Sequence, residues 1–300
     1  MSIFSVGGGN AADDFELEQS LRFEEDDASK LSRTFTSAGN RKTWTLSTWV
    51  KLSGLDTTDH GELFNGYDSG SDTGFTAVYW YNGKLRVAGW GTTWRETSQE
   101  FRDPSAWYHL VVAFDTTESA ADDRCKIYVN GSQVTAFGTN NALSQDTDYG
   151  INGAWVHQIG QDNSASSSRN FSGYMGEFHF IDGTALTPAS FGETDTITNQ
   201  WVPIEVTGMT YGTNGFYLKF QDSSALGDDS SGNTHDFTPV NLVATDQVLD
   251  RNPLGSIFVG FAKGCGCKGL AINPMKLGKV STKRLSRCFR VTSANISIGI

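Results

Sequence analysis

The chain has 300 residues, a formal net charge of −11, 33 glycines, six prolines and 12% aromatic residues. That length is enough to bury a substantial core, and the acidic balance argues against non-specific nucleic-acid binding by the chain as a whole. Long periodic Ala/Leu/Glu/Lys stretches are missing, which excludes a mainly helical fold and points to an all-β protein with many tight turns. The average charge hides a break: residues 251–300 hold nine Lys/Arg and no Asp or Glu, leaving 14 basic and 34 acidic residues in the rest. Cys265, Cys267 and Cys288 also lie in this tail, so Cys125 is alone in the main body and the fold does not rest on disulfides.

Taken in chain order, the first nineteen residues read as a flexible arm. They show no charged segment followed by an apolar run, so a Sec signal is not expected, and Gly7–Gly9 lack the preceding strand and following lysine of a phosphate loop. KTWTLSTWVKL, Lys42 to Leu52, alternates with period two. Trp44, Leu46, Thr48, Val50 and Leu52 fall on one face and Trp49 on the other, which predicts a strand with one face buried. GFTAVYWYNGKLRVAGW and KIYVNGSQVTAF carry Asn82-Gly83 and Asn130-Gly131 between β-rich runs, the strongest short hairpin signal. WYHLVVAFD, Trp107 to Asp115, is apolar on both faces, as a central strand would be. AWVHQIGQD and GYMGEFHFID add two more strands, and PASFGE is the best candidate for a helical turn. The spacing predicts a β-sandwich of two antiparallel sheets over residues 20–193. Residues 194–250, with Phe216, Leu218 and Phe220 alternating, read as a small β extension: an extra strand-plus-loop or an incomplete second module. No run of eighteen apolar residues predicts a membrane-spanning helix.

The combination TWTLSTWVKL, WYHLVVAFD, KIYVNGSQV and FSGYMGEFHFIDGTALTPASFGE resembles the LamG-like jelly rolls of the concanavalin A-like lectin/glucanase superfamily. More narrowly, it resembles the version found in bacteriophage virion and tail proteins, where segments such as GTNGFYLKF and DSSGN follow. The resemblance covers about residues 20–250. It implies a jelly-roll sandwich that commonly binds glycans and sometimes calcium, with attachment to a host surface as the inferred role. Partners would then be a host-surface glycan or other virion subunits, the protein itself a homo-oligomer or a purely structural decoration. The setting would be the virion, outside the cell after host lysis. The basic Cys-containing tail, residues 251–300, departs from that pattern and is expected to be poorly ordered. It reads equally as a changed reading frame or as a basic arm docking on another subunit or on nucleic acid.

Extended backbone in GEFHFID points Glu177 and His179 one way, with Phe178, Phe180 and Asp182 the other. Phe178 and Phe180 then belong to the core. Glu177 and His179 are either a solvated outer face or ligand contacts near a rim, and Asp182-Gly183 is a turn. A glycoside hydrolase needs two carboxyl groups about 5–9.5 Å apart, whereas Glu177 and Asp182 would sit about 16 Å apart along the strand. No E-x-D-x-x-E pattern occurs, no Ser/His/Asp set assembles, and the expectation is a non-catalytic binding protein. A polysaccharide-degrading enzyme of the same superfamily is the alternative.

For glycan contacts the candidates are Trp90 and Trp94 in AGWGTTWRET as an exposed aromatic pair, with Arg95 and Trp155; packing of the rim over the core competes with that reading. For calcium, the resemblance points to Asp68 and Asp72 in NGYDSGSDTGF meeting Asp162 and Asn163 in GQDNSASSSRN at one rim; ordinary turn-forming roles compete. His60, His157 and His235 stand alone and read as surface or loop residues.

Overall fold

The computed structural model describes residues 15–53, 60–164 and 169–250. In chain order the strands are β1 (Gln19–Phe23), β2 (Lys30–Thr34), β3 (Thr43–Leu52), β4 (His60–Tyr67), β5 (Phe75–Tyr81) and β6 (Lys84–Ala88). Then come β7 (Thr93–Thr97), β8 (Tyr108–Asp115), β9 (Cys125–Val129), β10 (Ser132–Gln133), β11 (Phe137–Asn140) and β12 (Val156–Ile159). The last are β13 (Gly173–Asp182), β14 (Gly192–Thr194), β15 (Trp201–Pro203), β16 (Phe216–Leu218), β17 (Thr238–Val240) and β18 (Gln247–Leu249). Three short 3₁₀ turns complete the list, and one of them, Pro188–Ser190, is the helical turn predicted in PASFGE.

Two antiparallel sheets face each other as a jelly-roll sandwich. The first runs β10–β9–β8–β3–β13–β1–β18, with β16 also on β13; the second runs β11–β7–β6–β5–β4–β12–β2–β17. Trp44, Leu46, Val50, Phe178 and Phe180 from the first sheet meet Phe64, Val78, Trp80, Val87 and Ile159 from the second in one core. Period-two alternation explains most of this: in β3 the inward residues are the predicted ones, and Trp49 points out to stack on His109 at 4.8 Å. Both Asn-Gly pairs turn hairpins, β5–β6 and β9–β10, with positive φ at all four residues. β8 is buried on both faces between β3 and β9.

Besides an irregularity in β11 between Phe137 and Thr139, two bulges in the second sheet turn consecutive residues inward. In β4 the register shifts between Glu62 and Phe64, so Leu63 and Phe64 both enter the core. In β7 the shift opposite Val87/Ala88 puts Trp94 in the core and buries Arg95 beside it. In the first sheet a bulge lies in β13 between Gly176 and His179, with Glu177 in the left-handed region at φ 46. Before it β13 pairs with β1, and after it with β16.

The segment 194–250 forms no body of its own. It contributes β16 and β18 to the first sheet and β17 to the second, pairing with β13, β1 and β2. Gln19, the last residue of the expected N-terminal arm, opens β1. Residues 1–14 of that arm and the tail from 251 fall outside the described residues.

Asp182, expected in a turn, ends β13 as a buried acceptor that joins three loops. It takes hydrogen bonds from Asn40 N (2.8 Å), Asn152 Nδ2 (2.6 Å) and Asn214 N (3.0 Å). Removing it strands three donors around a buried site. Asp182→Ala is expected to lower the unfolding free energy by about 3 kcal/mol or more, read as a reduced urea midpoint at unchanged slope. A loss within about 0.5 kcal/mol would contradict this role.

Candidate glycan-binding rim

Burial decides which faces of the sandwich can meet a ligand. The outer face of the first sheet is closed by its own chain: Phe191, Tyr211 and Tyr217 pack on Val111 and Ile181, with Leu186, Val206 and Met209 around them. Glu177 and His179 do point away from the core, but they are buried here, neither solvated nor on a rim. His179 Nδ1 meets the Tyr211 hydroxyl at 2.9 Å, the Tyr217 hydroxyl donates to Glu177, and the His179 and Tyr217 rings stack at 3.9 Å.

Beside them the Trp201 indole N–H donates to His109 Nδ1 at 2.9 Å, and His109 Nε2 lies 2.9 Å from Ser47 Oγ. An indole nitrogen can only donate, so the neutral ring carries its proton on Nε2 and gives it to Ser47. Ser47 is therefore not activated as a nucleophile. Burial, helped by His179, holds His109 down at about 3, so the ring stays neutral. This cluster is a satisfied polar layer under the 186–217 segment.

The outer face of the second sheet is covered on one side. After Gly160, whose φ is +88, the chain folds over β4 and β12. Asn65 Nδ2 donates to Gln161 O at 2.7 Å and Asn163 N approaches Asn65 Oδ1 at 3.3 Å. Glu62 is fully buried there, and neither of its carboxylate oxygens has a hydrogen-bond partner among the described residues. Burial pushes Glu62 well above the usual carboxylate range; the Asp162 charge adds to this, while Arg169 and the nearby Asn65 amide oppose it. Asp162 is held in turn by Ser164 N (2.7 Å), Ser164 Oγ (2.8 Å) and Arg169 (3.1 Å).

The single calcium rim expected from Asp68, Asp72, Asp162 and Asn163 is not formed. Asp162 already faces the Arg169 guanidinium, and the Asn163 amide donates to Val156 O at 3.2 Å. Asp68 and Asp72 lie in the 68–74 loop, where Asp68 N donates to Gly74 O and Asp72 Oδ1 accepts from Gly91 N. No group of three His, Cys, Asp or Glu side chains among the described residues converges to hold a metal ion.

The glycan candidates also separate. Trp94 is 2% exposed and packs on Tyr149 and Phe114, because the β7 bulge turns it inward. Arg95, 1% exposed, donates to the carbonyls of Cys125, Asn141 and Ala121, fastening loops instead of facing solvent. His157, expected at the surface, is buried and stacked on Phe35 at 4.2 Å. Trp90 stays out, at 47% exposure. Its ring lies 5.8 Å from Tyr67 and 5.9 Å from Phe75, and a Cβ at Gly70 would come within 3.0 Å of it. Asp72 Oδ1 accepts from Gly91 N at 3.3 Å and would lie 2.6 Å from a Cβ at Gly89, so the carboxylate lies against the backbone of both chain neighbours of Trp90.

The rest of this rim comes from sequence-distant residues. Trp155 is half-buried, donates to Gly150 O at 2.8 Å and carries the Arg41 guanidinium 4.6 Å from its ring centre. Arg41 donates to Tyr149 O and Thr73 O, with the charges of Asp148 and Asp68 acting on it. The end of β4 (Tyr67), the 68–74 loop, the β6–β7 connection and the 148–155 stretch thus meet at one end of the sandwich. Tyr67, Arg41 and Asp148 were absent from the sequence candidates; Tyr67 stood beside the candidate Asp68 in NGYDSGSDTGF without being singled out.

The family model of the concanavalin A-like lectin/glucanases superfamily matches residues 23–190. The chain belongs to that superfamily. Among solved structures, a candidate carbohydrate-binding protein from Bacteroides ovatus superposes with TM-score 0.52 at 15% identity. The match covers 79% of this chain and 61% of that one. A heptameric SAP-like pentraxin from Limulus polyphemus gives 0.42 at 17% identity, covering 58% of this chain and 80% of that one. The enzymatically active domain of tailspike protein 2 from bacteriophage CBA120 gives 0.40 at 14% identity, covering 57% and 26%. No curated protein matches the chain.

Glu62 offers a direct check of these electrostatics. Its raised folded value means that its stabilising contribution is complete below the ordinary carboxylate value and is lost as pH rises. Glu62→Gln is therefore expected to be more stable than the parent at pH 8, by about 1–3 kcal/mol, with the gap closing toward pH 4. A variant less stable at every pH would mean a charged, partnered Glu62.

Proposed function

We propose that this protein is a non-catalytic glycan-binding protein that engages sugars at the Trp90 rim. The observation that carries the reading is Trp90 itself, an exposed indole braced by Tyr67 and Phe75, with the Asp72 carboxylate against the backbone beside it. A flat aromatic face meets the apolar side of a pyranose, and neighbouring polar groups fix its orientation. The fold agrees with a binding role, and the motifs of the tail-protein type suggest a virion setting with a host-surface glycan as target.

A second reading, a glycan-cleaving enzyme, draws on Glu62 lying near Asp162. Against it, both carboxyl side chains are buried, and Asp162 is neutralised by Arg169. Reducing-sugar release from a bound polysaccharide, abolished in Glu62→Gln, would favour the enzyme.

Trp90→Ala is expected to weaken glycan binding at least tenfold in calorimetry, with little change in melting temperature. Trp94→Ala should instead cost about 3–5 kcal/mol of stability, as a cavity in the core does. Glycan binding at parental affinity by folded Trp90→Ala would remove the rim from the account.

A further inference from the structure

The hairpin that covers part of the first sheet is not a strand pair of that sheet. β14 and β15 pair with each other as a separate two-stranded sheet. Their hairpin meets the first sheet through side chains: Phe191 lies 5.3 Å from the His179 ring, and Trp201 lies 5.9 Å from His109 with the two rings nearly parallel. The indole also fills the space over Gly131, where a Cβ would come within 2.3 Å of it. Its N–H donates to His109 Nδ1 at 2.9 Å, which joins the hairpin to β8.

That bond depends on the charge of His109. The neutral ring accepts at Nδ1 and gives its one proton, on Nε2, to Ser47 Oγ at 2.9 Å. The protonated ring carries a hydrogen on Nδ1 as well, and the indole nitrogen, a donor only, cannot accept it. Two donors then face each other in a buried site. Around the ring, β3 presents Ser47 and Trp49, and the β9–β10 turn presents Asn130, whose Oδ1 accepts from His109 N. From β13, His179 opposes a charge on His109. Glu177 lines the same recess, but it accepts from the Tyr217 hydroxyl and stands 3.8 Å from His179 Nε2. Lys219 acts on His179, while Glu205 and Asp229 act on Tyr217 and Tyr211.

We propose that His109 and Trp201 form an acid-released latch: when His109 takes up a proton, the β14–β15 hairpin leaves the first sheet and the sandwich beneath stays folded. Release uncovers apolar side chains of the outer face, Trp49, Val111 and Ile181 among them. The latch does not depend on the glycan reading of the Trp90 rim. In the closed form burial holds His109 at about 3, whereas in water it returns to the ordinary histidine value of 6.5. The closed form is therefore fully favoured above that ordinary value and loses ground as pH falls below it. Each pH unit below about 6.5 raises the open-to-closed ratio by up to about tenfold.

Hydrogen exchange of the full chain at pH 7 and at pH 4.5, corrected for intrinsic amide rates, tests the latch. Protection of residues 191–204 is expected to fall at least about tenfold at pH 4.5, while the amides of β3 and β8 keep theirs. His109→Asn offers an amide oxygen in place of Nδ1 and takes up no proton, so its hairpin should be equally protected at both pH values. Should that variant fail to fold, the His109 ring signal followed by NMR in the parent chain must titrate together with the loss of protection. Unchanged protection of 191–204 at pH 4.5, a loss shared with β3 and β8, a His109 signal out of step with it, or the same pH response in folded His109→Asn overturns the proposal.

Discussion

The bulge in β13 is the constraint on which the rest of the structure depends. One extra residue at Glu177, held in the left-handed region, lets a single strand keep β3 along one edge while its other edge changes partner from β1 to β16. β1 comes from the start of the described chain and β16 from near its end. The strand therefore ties both ends of the chain into one sheet, and the Asp182 carboxylate at its end binds the loops at Asn40, Asn152 and Asn214. Because β16 is docked there, Tyr211 and Tyr217 are carried over the outer face, and His109, His179 and Glu177 lose contact with water. A motif that suggests chemistry in sequence thus becomes a structural layer.

Regular alternation made much of the fold readable. Trp44, Leu46, Val50 and Leu52 in β3, the doubly buried β8 and the two Asn-Gly hairpins follow directly from side-chain periodicity and turn chemistry. The failures have specific causes. At Leu63–Phe64 and Trp94–Arg95 a bulge sends consecutive residues inward, and no local pattern announces the extra residue. Trp94 and Arg95 therefore looked like surface residues among Gly and Thr, although one fills the core and the other fastens loops. His157 read as a surface or loop residue because it stands alone, yet it lies in β12 and is stacked on Phe35.

The site was only half legible for a related reason. Trp90 stood out as an aromatic among small residues, and the acidic 68–74 loop stood out by composition. Their meeting depends on cross-strand register, since Tyr67 at the end of β4 pairs with Phe75, and both rings touch Trp90. Arg41 and Asp148 join the rim from parts of the chain far apart in sequence, and only tertiary contact reveals them. Asp162 shows the opposite case: a residue that looks like a metal ligand finds its cation in Arg169.

With one sheet covered by residues 186–217 and the other partly covered after Gly160, the rim around Trp90 is the place we propose for ligand binding. Hydrogen exchange with and without bound oligosaccharide tests that placement most directly. Slowing confined to the amides of residues 67–75 and 89–92, with weaker effects at 148–155, is the outcome required by a rim-bound sugar. Slowing centred on residues 191–217, or on the strand bearing Glu62, would place the ligand elsewhere and contradict it.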